Sequence, residues 1–283
     1  MNRDLAPVQF RLAGALLRHH REAVRWTLEE AAAELGCDTS KISRIETGHR
    51  RPKPGEMHVL LTAYGVTNRE RQAIAALTET ARGGWWGEYR GLLPGAMVDH
   101  ALFESIADDV MAWEPQALPA FLQTRSYAAS VAAADPLLET DEQRRLAVLL
   151  AASRAAGVRD RQHAAFTVVI GEAALRQQVG GEAMLGQLRQ LAGEGLAGPV
   201  ALQVIPFTAG AHPGIGAGPM SIMRFRQVTG IGAIYHGWSA AGVSVARQAE
   251  LTGAVRRFEA LRQDSLSAEE SLKLIREVIT AWR

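Results

Sequence analysis

The stretch that most constrains the fold is residues 28–54, which reads LEEAAAELGCDTSKISRIETGHRRPKP. Apolar residues recur there at helical spacing before Gly36, and again at Ile42 and Ile45. The intervening segment of about four residues contains Gly36, and a short Gly-containing turn between two short helices is typical of a helix-turn-helix. The pattern therefore predicts that fold element.

Capping residues mark the ends of both short helices. Thr27 followed by Glu30 forms the pattern of a capping box, in which side chain and backbone satisfy each other at a helix start. The carboxylate of Asp38 is placed to cap the next helix, and Gly48 is expected to stop it. Each boundary thus has a local chemical reason.

Three further helices are expected around this pair. An amphipathic pattern begins at Val8, Pro54 starts a fourth helix, and a fifth begins at Thr67 or Asn68 and stops at Gly83. We therefore predict an all-α, five-helix DNA-binding domain over residues 1–82.

Charge supports nucleic-acid binding only locally. The net charge is +1, but residues 1–82 carry 13 Lys and Arg against 10 Asp and Glu. If Ile42 and Ile45 point inward, four residues form an outward reading face: Thr39, Ser40, Ser43 and Arg44. An arginine on a helix in the major groove can donate to guanine O6 and N7, and hydroxyls can bond bases. The residues placed for phosphate contacts are Thr27, Lys41, His49, Arg50, Arg51 and Lys53. On charge alone, a solvated basic turn remains the alternative.

The order L-x-x-x-A, then G, then S-x-I-S-x-x-E-x-G closely resembles the Xre/Cro/repressor helix-turn-helix family over residues 8–82. The resemblance implies base contacts by Thr39, Ser40 and Arg44, and phosphate contacts by Lys41 and the loop after Gly48. It also implies a structural pair between Glu46 and an arginine of the first helix, for which Arg18 is expected. The sequence departs from the family at residues 25–26, Arg-Trp, where Gly and an aliphatic residue are usual.

Residues 83–95, GGWWGEYRGLLPG, are predicted to be a linker because they are rich in glycine and aromatic residues. Trp85 and Trp86 are interpreted as a packing latch rather than a ligand cage. Residues 96–283 mix helical patterns with strand-like runs, which are AAFTVVI, VALQVIPF, PMSIMRFR and IGAIYHGW. The last forty residues return to helix, first SVARQAELTGAVRRFEALRQDSL from Ser244 and then SAEESLKLIREVITAW, with Ser267 as the cap and Glu270 completing its capping box. We predict an α+β regulatory and dimerisation domain with a sheet of about four strands.

No pattern in the chain indicates an enzyme. His163, His212 and His236 occur singly, Cys37 is the only cysteine, and no metal-ligand spacing or nucleophile turn occurs. The segment GIGAGPM is followed by a strand pattern, unlike a dinucleotide loop. We expect no catalytic residues, no metal and no cofactor. Without a membrane-length apolar run or a signal-peptide pattern, we expect a cytoplasmic protein that associates with the nucleoid when bound to DNA.

Four segments of the second half resemble the C-terminal domain of actinobacterial, antitoxin-like, WhiJ-like regulators of the Xre type. These are WEPQALPAFLQTRSYA, GEAALRQQVGGEAMLGQL, VALQVIPFTAGAHPG and LSAEESLKLIREV. The resemblance implies a transcription factor that dimerises and senses a partner, often a small protein encoded nearby. The sequence departs at residues 236–237, His-Gly, where an aromatic and acidic pair is usual. The candidate partner or ligand residues are Trp85, Trp86, His212 and His236.

The leading hypothesis is therefore a dimeric, sequence-specific regulator of transcription, a repressor, that binds double-stranded operator DNA. A second hypothesis makes the C-terminal domain an antitoxin-like or ligand-binding module for a small protein or metabolite. A third, an enzyme with a DNA-binding appendage, would require polar side chains converging in one cleft.

Overall fold

A computed structural model describes residues 8–80, 84–161, 164–193, 200–226, 228, 230–237 and 242–282. His163 lies outside the described residues, as do the start of the expected DNA-binding domain and part of the expected linker. The chain divides into two compact units. Unit 1 comprises Met1–Gly84, Phe225–Ala233 and Val245–Leu251, and unit 2 comprises Trp85–Arg224, Ile234–Ser244 and Thr252–Arg283.

The N-terminal part of unit 1 contains the five predicted helices. They are α1 Val8–Ala23, α2 Leu28–Glu34, α3 Thr39–Glu46, α4 Pro54–Ala63 and α5 Asn68–Thr80. Their apolar faces form one core, in which Leu12, Leu16, Ile42, Ile45 and Ile74 are essentially inaccessible to solvent. The predicted inward positions of Ile42 and Ile45 on α3 are therefore confirmed.

The elements after residue 84 alternate helices and strands. They are α6 Gly95–Ile106, β1 Asp109–Glu114, α7 Arg125–Ala134, α8 Asp141–Asp160, β2 Ala165–Gly171, α9 Ala173–Arg176, α10 Glu182–Ala192, β3 Val200–Ile205, β4 Met220–Arg224, β5 Ile231–His236, β6 Val243–Arg247, α11 Gln248–Gln263 and α12 Ala268–Ala281. Ser267 caps α12 through the capping box with Glu270, as the sequence pattern predicts.

The strands form one mixed sheet in the order β3-β2-β1-β4-β5-β6. β1 is parallel to β2 and antiparallel to β4, and β2 is parallel to β3. The α+β class is confirmed, but the expected four strands are too few, because the sheet has six. No described helix is both long and apolar enough to cross a membrane.

Sequence reasoning missed β1 and β6 for different reasons. In β1, Val110, Met111, Ala112 and Trp113 are all buried, so both faces of the strand are apolar and the alternating signal is absent. β6 passes directly into α11 at Gln248, and the sequence pattern wrongly assigns residues from Ser244 onward to that helix.

Candidate nucleic-acid interface

The N-terminus of α2 is fixed by the predicted capping box. The Glu30 backbone N–H donates to Thr27 Oγ1 at 3.2 Å, and the Thr27 N–H donates to Glu30 Oε2 at 2.6 Å. Thr27 is exposed, as a phosphate contact requires. Its backbone N–H is nevertheless occupied by a carboxylate, so a phosphate at this position would have to displace Glu30 or accept from the threonine hydroxyl.

The turn before α3 is built by Gly36 and Asp38. Gly36 has φ +62°, a left-handed conformation that favours glycine. Asp38 Oδ1 accepts from the Lys41 backbone N–H at 2.8 Å and from Ser40 Oγ at 2.5 Å. These hydrogen bonds lower the pKa of the Asp38 carboxyl, and the one from Ser40 has the largest effect. The Ser40 hydroxyl is therefore committed as a donor, and its oxygen remains available as an acceptor.

Helix α3 lies directly against α1. A Cβ added at Gly14 would overlap the Ile45 carbonyl oxygen and come within 2.8 Å of the Glu46 carbonyl oxygen. At the end of α3, Gly48 has φ +78°, and a Cβ there would come within 3.0 Å of the Arg11 backbone. Both glycines permit a backbone approach that fixes the position of α3.

A buried ion pair holds the same two helices together. Arg21 Nε donates to Glu46 Oε1 at 2.7 Å, and Arg21 Nη2 donates to Glu46 Oε2 at 2.8 Å. The expected partner of Glu46, Arg18, instead pairs with Glu22 at 2.7 Å on the exposed side of α1. The Arg18 assignment is therefore wrong. Arg18 and Arg21 are three residues apart on one helix, so their side chains point in similar directions. The rotation of α1 about its own axis decides which of them reaches Glu46.

The end of α1 tolerates the unusual Arg-Trp pair. Arg25 takes φ +60°, the left-handed conformation usually given to glycine at a helix end. The Trp26 N–H still donates to the Arg21 carbonyl at 3.1 Å, and the Trp26 carbonyl accepts from Arg21 Nη1 at 2.6 Å. Trp26 also packs edge-to-face on Tyr64, with ring centroids 5.5 Å apart. The C-cap geometry is thus preserved without a glycine.

The outward side of α3 carries the four residues of the expected reading face. Ser40 and Arg44 are exposed, whereas Thr39 and Ser43 are half-buried. Within the described residues, the Arg44 guanidinium makes no hydrogen bond or ion pair. All four side chains belong to one eight-residue helix whose opposite side is anchored by Ile42 and Ile45.

The residues expected to face phosphates form an exposed basic tail after α3. His49, Arg50, Arg51 and Lys53 are all exposed. Lys41 differs, because its Nζ lies 2.9 Å from Glu56 Oε1. Glu56 also accepts from the Lys53 backbone N–H at 2.8 Å and so caps α4. Sequence reasoning missed Glu56, although a glutamate two residues after Pro54 is a usual position for such a cap.

The four residues proposed for partner or ligand binding have separate surroundings. Trp86 is buried and Trp85 is half-buried against it, with ring centroids 5.8 Å apart. His212 packs edge-to-face on Trp113 at 5.9 Å, and its Nδ1 accepts from the Gly214 N–H. His236 is exposed at the end of β5. Among the described residues, no cluster of three or more potential ligands could hold a metal ion.

Two protein families match parts of the chain. Residues 12–74 match a family described as a helix-turn-helix domain. Residues 97–277, well over half of the chain, match a family described as a domain of unknown function, DUF5753. Comparison with curated proteins and with solved structures gives no significant match.

Proposed function

The chain belongs to the DUF5753 family and carries a helix-turn-helix domain before that region, and from this we propose that it is a sequence-specific DNA-binding regulator of transcription. The observation that carries the proposal is the geometry of α3. This helix is anchored by two buried isoleucines, and it presents Arg44, exposed, together with three hydroxyl side chains. A helix of this kind fits the major groove.

We assign base reading to Thr39, Ser40, Ser43 and Arg44. Arg44 is the strongest candidate because its guanidinium is exposed and a guanine edge offers it two acceptors. Ser40 serves as an acceptor, since its hydroxyl hydrogen is donated to Asp38. A base amino group, such as that of cytosine or adenine, would suit this oxygen.

We assign phosphate contacts to Thr27, Lys41, His49, Arg50, Arg51 and Lys53. The exposed tail from His49 to Lys53 supports this role best, because its cations face solvent. Lys41 would act from its ion pair with Glu56, which orients the ammonium group and offsets part of its charge. Lys41 therefore contributes less to the salt dependence of binding than Arg51.

We further propose that the protein acts as a dimeric repressor on a two-fold related operator, with half-sites about one helical turn apart. The resemblance to Xre-type, WhiJ-like actinobacterial regulators supports this proposal, together with a role for the C-terminal region in sensing a small protein or a metabolite. Of these, a metabolite-sized effector is favoured by a cavity in unit 2. Binding to chromosomal DNA would place the protein at the nucleoid.

The experiment that tests this function is footprinting of the full chain over its own promoter region, with quantitative binding to that fragment and to random DNA at physiological salt. We expect a protected, two-fold related site and tighter binding to the promoter fragment. Equal affinity for the promoter fragment and for random DNA would overturn the proposal. The sign of regulation follows from reporter expression with and without the protein.

A further inference from the structure

Unit 2 contains a cavity of about 310 Å³ whose walls are mostly apolar. The walls come from α6, α7 and α8, from the connection between α7 and α8, from the end of β1 and the segment after it, and from β5. Apolar side chains that line it include Met97, Leu118, Val131, Leu138, Leu150 and Ala151. Its volume lies at the lower end of the range of roughly 300–1,000 Å³ for small-molecule pockets. The cavity therefore suits a metabolite-sized ligand with an apolar body.

One carboxyl group in this wall has no partner. Glu114, the last residue of β1, lines the cavity, and no hydrogen bond or ion pair reaches its carboxyl group among the described residues. Protein atoms enclose the side chain, although part of its surface stays accessible. Burial raises the pKa of this carboxyl to about 8, against the opposing effect of Arg154. A carboxyl group in an apolar wall costs free energy while it lacks a hydrogen-bond or ion-pair partner, and a ligand that supplies the partner removes this cost.

Two other polar groups of the cavity wall, Arg154 and His100, are already engaged. Arg154 donates to both carboxylate oxygens of Glu104, at 2.9 Å from Nε and 2.6 Å from Nη2, so its charge is balanced. The His100 ring stacks on Tyr235 with centroids 4.0 Å apart, and His100 Nε2 lies 3.1 Å from Ser221 Oγ. Burial lowers the pKa of His100, which keeps the imidazole neutral.

The ionisable groups that remain in the wall are acidic. Besides Glu114, the cavity wall contains Asp135, and Arg154, the one Lys or Arg among the described residues that line it, is bound to Glu104. An anionic ligand would meet two carboxyl groups without a free cation, and a purely apolar ligand would leave Glu114 unpaired. A ligand with an ammonium group would pair with the carboxylate and could use the Tyr235 ring as a further contact.

We propose that this cavity binds a small amphipathic amine, whose ammonium group pairs with Glu114 and whose apolar body packs against the alanine and leucine side chains of the wall. The proposal gives a chemical class to the effector role proposed above. Its test involves no DNA, so the outcome for the ligand and the outcome for operator binding are independent.

A matched panel of probes tests the ligand class on the full chain. Each probe has one of three apolar groups, which are phenethyl, cyclohexylmethyl and hexyl. Every apolar group is tested with an amine, with an alcohol and with a carboxylate. Binding is measured by isothermal titration calorimetry and by ligand-observed NMR. We expect at least one amine to bind roughly 10- to 100-fold more tightly than its alcohol and its carboxylate. Absence of amine binding at millimolar concentration, or tighter binding of the carboxylates, would overturn the proposal.

Two variants locate the site, and a third is the control. Glu114→Gln should weaken amine binding by at least about tenfold and leave alcohol binding unchanged. Ala151→Leu, which adds volume inside the cavity, should weaken both classes. Glu277→Gln, on the exposed side of α12, should bind like the wild type. Circular dichroism checks that each variant is folded, and unchanged amine affinity in folded Glu114→Gln rejects Glu114 as the recognition group.

A proton measurement adds an independent readout. The groups that face Glu114 are Arg154 of α8, Tyr127 of α7, Tyr235 of β5 and His100 of α6. An ammonium ion that binds the protonated acid at pH 7 must displace its proton to the buffer, so calorimetry in two buffers should show release of up to about one proton. The release should vanish at pH 9 and in Glu114→Gln. Release that persists in Glu114→Gln would contradict the assignment.

Discussion

Arg21 of α1 and Glu46 of α3 form a buried, bidentate ion pair with contacts of 2.7 and 2.8 Å. The remaining guanidinium nitrogen of Arg21, Nη1, donates to the Trp26 carbonyl in the turn after α1. The pair therefore joins the C-terminal ends of two helices and orients the helix proposed to read DNA. Because both side chains are buried, the ion pair affects DNA recognition through the position of α3 and not by contacting DNA itself.

Replacement of Arg21 tests this pair. Arg21→Ala leaves the Glu46 carboxylate buried and unpaired, so we expect the free energy of unfolding to fall by about 3–5 kcal/mol. Arg18→Ala, which removes an exposed pair on the same helix, should cost less than about 1 kcal/mol. Denaturant unfolding followed by circular dichroism measures both. Equal losses in the two variants would contradict the assignment of Arg21.

The close approach of α1 to α3 predicts a specific effect at Gly14. The Cβ of Gly14→Ala would overlap the Ile45 carbonyl, and a backbone atom cannot rotate away as a side chain can. We expect a loss of about 1–3 kcal/mol in unfolding free energy, with weaker DNA binding as α3 shifts. The matched control is Gly55→Ala in α4, where nothing lies within 4 Å of the added Cβ. That variant should be neutral or up to about 1 kcal/mol more stable, and similar losses in both would rule out the steric explanation.

Arg44 and Lys41 should separate base reading from phosphate binding. Arg44→Ala should cost about 1–3 kcal/mol of binding free energy and relax the preference at one base pair. Lys41→Ala should weaken binding to all sequences alike. Binding to the operator and to a series of single base-pair variants, at several salt concentrations, gives both quantities. The roles are wrong if the two variants show the same sequence profile.

The left-handed conformation of Arg25 predicts that glycine is more favourable than alanine at this position. A non-glycine residue at φ +60° carries a steric cost that glycine does not. Arg25→Gly should therefore be more stable than Arg25→Ala by about 1 kcal/mol. The two variants both lack the arginine charge, so their thermal unfolding curves compare the backbone effect alone. An Ala variant as stable as the Gly variant would argue against a strained cap.

Glu114 predicts a pH dependence of stability. Its pKa rises from an ordinary value of 4.5 to about 8 in the folded protein, so the folded state holds a proton that the unfolded state has lost between these pH values. The stabilising contribution is complete below about pH 4.5 and is lost as the pH rises toward 8, with a slope of at most about 1.4 kcal/mol per pH unit. Glu114→Gln removes this dependence. As the pH rises from 5 through 6.5 to 8, the unfolding free energy of the wild type should therefore fall relative to that of Glu114→Gln. A difference between the two proteins that stays constant over this range would exclude the effect.

Local signals in the sequence predicted most of unit 1 correctly. Thr27 with Glu30, Asp38, and the inward positions of Ile42 and Ile45 are all confirmed. Each of these features depends on residues within four positions of one another, where helix geometry fixes the neighbours. The family match over residues 12–74 agrees with this part of the chain.

Features that depend on distant residues could not be predicted in the same way. β1 has no alternating pattern because both its faces are buried, and the partner of Glu46 depended on how α1 is rotated. The cavity around Glu114 has no local signal, since its wall combines α6, α7, α8 and β5. A glutamate at the end of an unrecognised strand looks like any solvated acid.

The sequence by itself determined the helix-turn-helix, its caps and the side of α3 that carries Arg44, because capping and helical periodicity act between near neighbours. The tertiary structure decided that Arg21 rather than Arg18 holds Glu46, and that six strands rather than four form the sheet. It also enclosed Glu114 in an apolar wall. These outcomes depend on how helices and strands that are far apart in the chain pack together. A polar group that this packing buries needs a hydrogen-bond or ion-pair partner, which an exposed group finds in water.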